Sequence, residues 1–106
     1  MNVTITARHA EISDPMRNYA NEKAEWLGGH FEFVTNVQVT LNLNARLHSA
    51  EVIALTRKGE RIVASADGED MYRTMDAAVE KITNQLHRFK EKIKAHRPPG
   101  AGKEPE

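Results

Sequence analysis

Lys81, Arg88 and Lys92 recur at spacings of seven and four residues, with Gln85 between them, in the segment VEKITNQLHRFKEKIKAHR. At about 100° per residue the three cations fall within about 40° of one another on a helix, and Gln85 lies beside them. Lys90, Lys94 and Arg97 group on a second flank, while Glu80 and Glu91 take the outward face. Cations in such a row neutralise phosphates without reading bases. Residues 81–97 carry six basic side chains and one acidic one, against eight and twelve in residues 1–80, so a formal net charge of zero conceals a strong asymmetry. A local basic stripe of this kind, and not the overall pI, marks a polyanion binder. The same row also fits a solvated helix face whose lysines complement the helix dipole. On composition alone both readings stand.

Other constellations carry less chemistry. The histidines at 9, 30, 48, 87 and 96 show no HExxH or other metal-ligand spacing. There is no cysteine, hence no disulfide, no thiolate zinc site and no cysteine nucleophile, which fits a reducing compartment. The carboxylates of DGED at 67–70 suit helix capping better than acid–base catalysis. Gly28–Gly29 lacks the strand–loop–helix pattern of a phosphate cradle, and neither G-x-S-x-G nor a P-loop occurs. The expectation is a protein with no catalytic residue, no metal, no cofactor and no small-molecule substrate. Aromatic residues are sparse, and Trp26 and Tyr72 read as core or helix-interface residues, not as base-stacking platforms. MNVTITARHAEISD is not a secretion signal, and no segment approaches the roughly 20 apolar residues of a membrane helix. A cytoplasmic protein without a membrane partner is expected.

The elements that must position the basic row follow from periodicity. NVTITAR alternates as a half-buried strand, with Val3, Ile5 and Ala7 on one face. Ser13 or Asp14 caps a helix that begins with Pro15 and runs to about Leu27, its inner face Met16, Tyr19, Ala20, Lys23, Trp26 and Leu27, until Gly28–Gly29 stops it. NVQVTLNL places Val37, Val39, Leu41 and Leu43 inward. SAEVIALT is a third strand with Ile53 and Leu55 inward. RKGE at 57–60 is a hairpin turn, and RIVASA a fourth strand with Ile62, Ala64 and Ala66 inward. Asp67 caps the last helix, over about 69–96, whose series Met75, Val79, Ile82, Leu86, Phe89, Ile93 steps by four and three. One domain of α+β class results: a β-α-β-β-β-α two-layer sandwich over residues 1–97, with a four-stranded sheet and both helices on one face. Residues 98–106 read as a disordered tail. A basic groove between the helices, with Arg8, Arg17 or Lys23 contributing, is expected.

Two blocks, ITARHAEIS and ASADGEDMYRTMDAAVEKITNQL, resemble the ribosome hibernation promoting factor family, also called ribosome-associated translation inhibitors. The resemblance covers about residues 1–97 and is to the short type, without a second, dimerising domain. It implies the same strand–helix–three-strand–helix fold. It also implies binding to the small ribosomal subunit and its 16S rRNA, in the channel where mRNA and tRNA lie, with inhibition of translation under stress or in stationary phase by steric occlusion. A separate ribosome modulation factor is an implied further partner. Carried over position by position, the implied rRNA-binding residues are Lys81, Gln85, Arg88, Lys90 and Lys92, with Arg8 and Lys23. The chain departs from the family pattern between the second and third strands, where Asn42 and Asn44 stand in place of charged residues. An alternative from another class is a protein-interaction module that modulates a transcription (sigma) factor.

Overall fold

The computed structural model describes residues 1–8, 11–44 and 46–95, and side chains as far as Ile93. The tail at 98–106, Arg97 and the side chain of Lys94 lie outside this description. The elements are β1 (Asn2–Arg8), α1 (Asp14–His30), β2 (Val34–Leu43), β3 (His48–Thr56), β4 (Arg61–Gly68) and α2 (Met71–Ala95). The sheet order is β1-β2-β3-β4; β1 and β2 are parallel, and the other pairs antiparallel. The expected α+β sandwich is therefore observed. The core lies on one face of the sheet, where Val37, Val39 and Leu41 meet Ala24 and Leu27 of α1 and Met75, Ala78, Ile82 and Leu86 of α2.

α1 starts as its sequence dictates. Ser13 Oγ accepts the Met16 N–H at 3.3 Å, and Pro15 occupies the first turn. It does not stop at Gly28–Gly29 but continues to His30. Gly28 serves close approach instead: a Cβ there would collide with Met1 Sδ. The chain leaves the helix at Phe31, which turns its ring into the core.

Two further expectations are corrected. In β3 the residues under the helices are Val52 and Ala54, not Ile53 and Leu55. All four are apolar, so alternation alone leaves the face open. Register decides it: Val52 pairs with Val39 and Ala64, whereas Ile53 pairs with Gln38 and Val63 on the uncovered face. At the start of α2 the cap is Asp70, not Asp67, because β4 extends to Gly68. Asp70 Oδ1 accepts the Tyr72 N–H at 2.9 Å, and its carbonyl accepts both the N–H (2.9 Å) and the hydroxyl (2.7 Å) of Thr74.

Candidate nucleic-acid interface

α2 has 25 residues, about 37 Å of helix, beside a β4 of eight residues, about 26 Å of strand. Its last turns therefore reach the end of the sheet where β4 starts, and its final residues pass it. An aromatic cluster fixes their direction. Leu86 is fully buried, and the Phe89 ring lies 5.4 Å from that of Phe33. His87 sits edge-on to Phe31 at 5.1 Å. With Phe89 turned inward, its neighbours Arg88 and Lys90 leave on opposite flanks of the helix, both exposed. Among the described residues no ion pair engages Arg88 or Lys90.

The β4 flank of α2 carries Lys81, Gln85, Arg88 and Lys92. Lys81 is exposed and donates from Nζ to the Ser65 carbonyl at 2.9 Å, so its stem folds over the free edge of β4. This covers an otherwise open edge carbonyl, one of the ways a sheet edge is blunted. Gln85 is half-buried beside it, and Arg88 and Lys92 are exposed further along.

The expected basic groove between the helices does not form. α1 and α2 run side by side in the same direction, Tyr19 against Tyr72 near one end and His30 against His87 at the other. The open groove between them, about 490 Å3, is lined by Glu22, Asp76 and Glu80, with Lys23 the one cation among the described lining residues. Lys23 Nζ lies 3.6 Å from Asp76 Oδ1. The same carboxylate accepts the Tyr19 hydroxyl at 2.5 Å, and this hydrogen bond above all pushes the phenol pKa up to about 12. Arg17 turns away from the groove and donates to the Ile5 carbonyl at 3.4 Å. Trp26, expected on the inner face of α1, is 48% exposed at the groove's edge and stacks on His30 at 4.7 Å. Ala20 and Leu27 are buried as expected, with Met16 and Tyr19 packed against the core, and Ala24 completes the buried stripe of α1.

The sequence-predicted site residues thus divide. Lys81, Gln85, Arg88, Lys90 and Lys92 share one helix. Lys23 is engaged in the groove. Arg8 stands apart: it ends β1 in register with Asn42, and beyond that with Ser49 and Asp67, at the end of the sheet where α2 begins. By strand alternation it also faces away from the helices. Three cations read from sequence only as a turn and a strand start, Arg57, Lys58 and Arg61, lie at the end of the sheet that the last turns of α2 approach. The fold-back of α2 along β4 was the signal that could have found them.

Residues 3–94 match the family described as Sigma 54 modulation protein / S30EA ribosomal protein. The chain belongs to this family. It is similar to the ribosome hibernation promoting factor of Pseudomonas putida, 38% identical over 92 residues, which is 87% of this chain and 89% of that protein. It is 34% identical over 96 residues to the protein of the same name from Salmonella typhimurium, covering 91% of this chain and all of the relative. Among solved structures it resembles a ribosomal subunit interface protein from Coxiella burnetii (TM-score 0.77, 23% identity, 86% of this chain and 99% of that one). It also resembles the N-terminal domain of Thermus thermophilus Protein Y (TM-score 0.72, 26% identity, 84% and 99%). Both solved structures share the fold of this chain. Among the described residues no helix is long and apolar enough to cross a membrane, and no group of three His, Cys, Asp or Glu is placed to hold a metal ion.

Proposed function

We propose that this chain is a ribosome hibernation factor acting in the cytoplasm, which occupies the mRNA and tRNA decoding channel of the small subunit and so inhibits translation. The observation that carries the reading is the exposed basic half of α2, in a chain whose relatives are named for ribosome hibernation. Lys81, Arg88, Lys90 and Lys92 neutralise 16S rRNA phosphates, and Gln85 adds a neutral hydrogen bond. Lys23 borders this surface, and Arg8 stands outside it. The chemistry is counterion release: each cation seated on a phosphate frees a condensed ion, so affinity falls as salt rises. The bound protein blocks the channel by its bulk.

The deciding experiment is co-sedimentation with small subunits over a salt series, with and without competing mRNA and initiator tRNA. Near-stoichiometric binding that weakens with salt and yields to the competitors is expected. Arg88→Glu with Lys92→Glu should abolish it while the fold persists. Intact binding by that folded variant would sink the reading.

The acidic groove with half-exposed Trp26 favours a second reading, a docking surface for a protein partner such as a transcription factor. Pull-down of such a partner without RNA, with little salt dependence, would select it.

A further inference from the structure

The last turns of α2 approach the hairpin turn between β3 and β4 at a fixed register. β4 is an edge strand. Thr74 sits against Gly68, whose Cβ, if present, would lie 2.6 Å from Thr74 Oγ1. One strand turn back, Lys81 binds the Ser65 carbonyl. The helix therefore retraces β4 towards its start. From Lys81 to Arg88 and Lys92 it advances about 10–16 Å. From Ser65 back to Arg61 the strand covers about 13 Å. Arg61 thus comes level with Arg88 and Lys92 along the same free edge.

A second tie comes through Phe33. Its carbonyl accepts the Arg57 N–H at 3.0 Å, while its ring packs on Phe89, between Arg88 and Lys90. The turn itself is held rigidly. The Gly59 N–H donates to the Thr56 carbonyl at 2.9 Å, and the Thr56 N–H donates to the Glu60 carbonyl at 3.0 Å. The Glu60 N–H also reaches Thr56 Oγ1 at 3.2 Å, and Gly59 takes the left-handed conformation with φ 88°. Arg57, Lys58 and Arg61 are all exposed, and among the described residues no ion pair engages them.

We infer that Arg57, Lys58 and Arg61 form a second phosphate-binding element, which continues the α2 surface round the free edge of β4 onto the same ribosomal RNA. The inference rests on the hibernation reading. Cations carried on two elements at the two sides of one edge suit a ligand with repeated charges along a curved path, as an RNA backbone has, better than a single acidic side chain. The rigid turn presents Arg57 and Lys58 with little backbone entropy left to lose on binding.

The test is co-sedimentation with purified small subunits across a salt series for three proteins: wild type, Arg57→Gln/Lys58→Gln, and Arg88→Gln/Lys92→Gln. Each phosphate contact contributes about 0.7–0.9 to the slope of log affinity against log salt, so the turn variant should lower that slope by about 1.4–1.8. Combining it with the helix variant should lower it further. Adding Arg61→Gln should take one more step. An unchanged slope and affinity in the turn variant, with a reduced slope in the helix variant, overturns the second element and leaves the hibernation reading standing. Failure of the wild type to bind at any salt overturns both. Circular dichroism melts report the fold. Lys58→Gln alone, at an exposed turn position, should still lower the slope by about 0.7–0.9 if the double variant does not fold.

Discussion

The Tyr19 hydroxyl donates a 2.5 Å hydrogen bond to Oδ1 of Asp76, joining α1 to the second turn of α2. Lys23 Nζ reaches the same oxygen at 3.6 Å and stands 5.2 Å from the centre of the Tyr19 ring. One carboxylate therefore orders a phenol and an ammonium in the groove between the helices. That arrangement separates Lys23 from the exposed cations of α2.

The first prediction concerns alkaline stability. The phenol of Tyr19 is pushed up to about 12 by its bond to Asp76, with desolvation and then the charges of Asp76 and Glu22 adding to it. A folded value above the ordinary value near 10 means that the native state keeps a proton the unfolded chain has lost. The contribution is complete below about pH 10 and fades as pH rises through about 12. Denaturant unfolding across that window should show a loss of stability in the wild type that Tyr19→Phe lacks. Identical pH dependence in the two proteins would refute the link.

The second prediction concerns Lys23 and Asp76. The ion pair is exposed, so breaking it costs at most about 1 kcal/mol, and exchanging the Tyr19 bond to a carboxylate for one to a neutral amide oxygen adds up to about 1 kcal/mol. Asp76→Asn should therefore lower stability modestly while leaving Lys23 without its anion. Small-subunit binding at low salt should hold or tighten, with a salt slope greater by up to about 0.9 if Lys23 takes a phosphate. Lys23→Ala in the wild-type background should change binding by less than about twofold. A large loss from Lys23→Ala would show that the pair opens on the ribosome.

The third prediction concerns the β3–β4 turn. Gly59 has φ 88°, where a side chain meets the following carbonyl. Gly59→Ala should cost about 1–2 kcal/mol. In a domain of this size each kcal/mol lowers the melting temperature by about 4–8 °C. Lys58→Ala, one residue earlier and exposed, should leave the melt unchanged. Equal melts for wild type and Gly59→Ala would contradict the turn geometry.

The fold was legible wherever one apolar face alternated with a polar one, as in β1, β2 and β4, or where apolar residues stepped by three and four, as in α2. It failed at β3, where Val52, Ile53, Ala54 and Leu55 give the strand no polar face and pairing chooses the side. It failed at Gly28–Gly29 because a helix can run through glycine when a neighbour, here Met1, needs the space. The basic row of α2 was legible because its spacing is local. The acidic lining of the groove was not, because Glu22 on one helix and Asp76 and Glu80 on the other are brought together only by packing. Arg57 and Lys58 were hidden for the same reason: a turn reads as a turn until something folds back beside it.

The last prediction separates charge from its support. Phe89 carries no charge, yet it anchors the last turns of α2 through Phe33. It is only partly buried, so Phe89→Ala should cost less than the 3–5 kcal/mol of a fully buried phenylalanine, about 1–2 kcal/mol. The final turns then fray, and Arg88, Lys90 and Lys92 lose their fixed spacing without leaving the chain. Affinity for small subunits should fall several-fold because ordering those side chains is now part of binding. The salt slope should stay near the wild-type value, since the number of cations is unchanged. Arg88→Gln should do the reverse, lowering the slope by about 0.7–0.9 with the melt intact. Phe89→Leu, which refills most of the space beside Phe33, should restore both. If Phe89→Ala lowered the slope as much as Arg88→Gln does, the aromatic anchor would be acting on which phosphates are reached, and not on the order of the helix end.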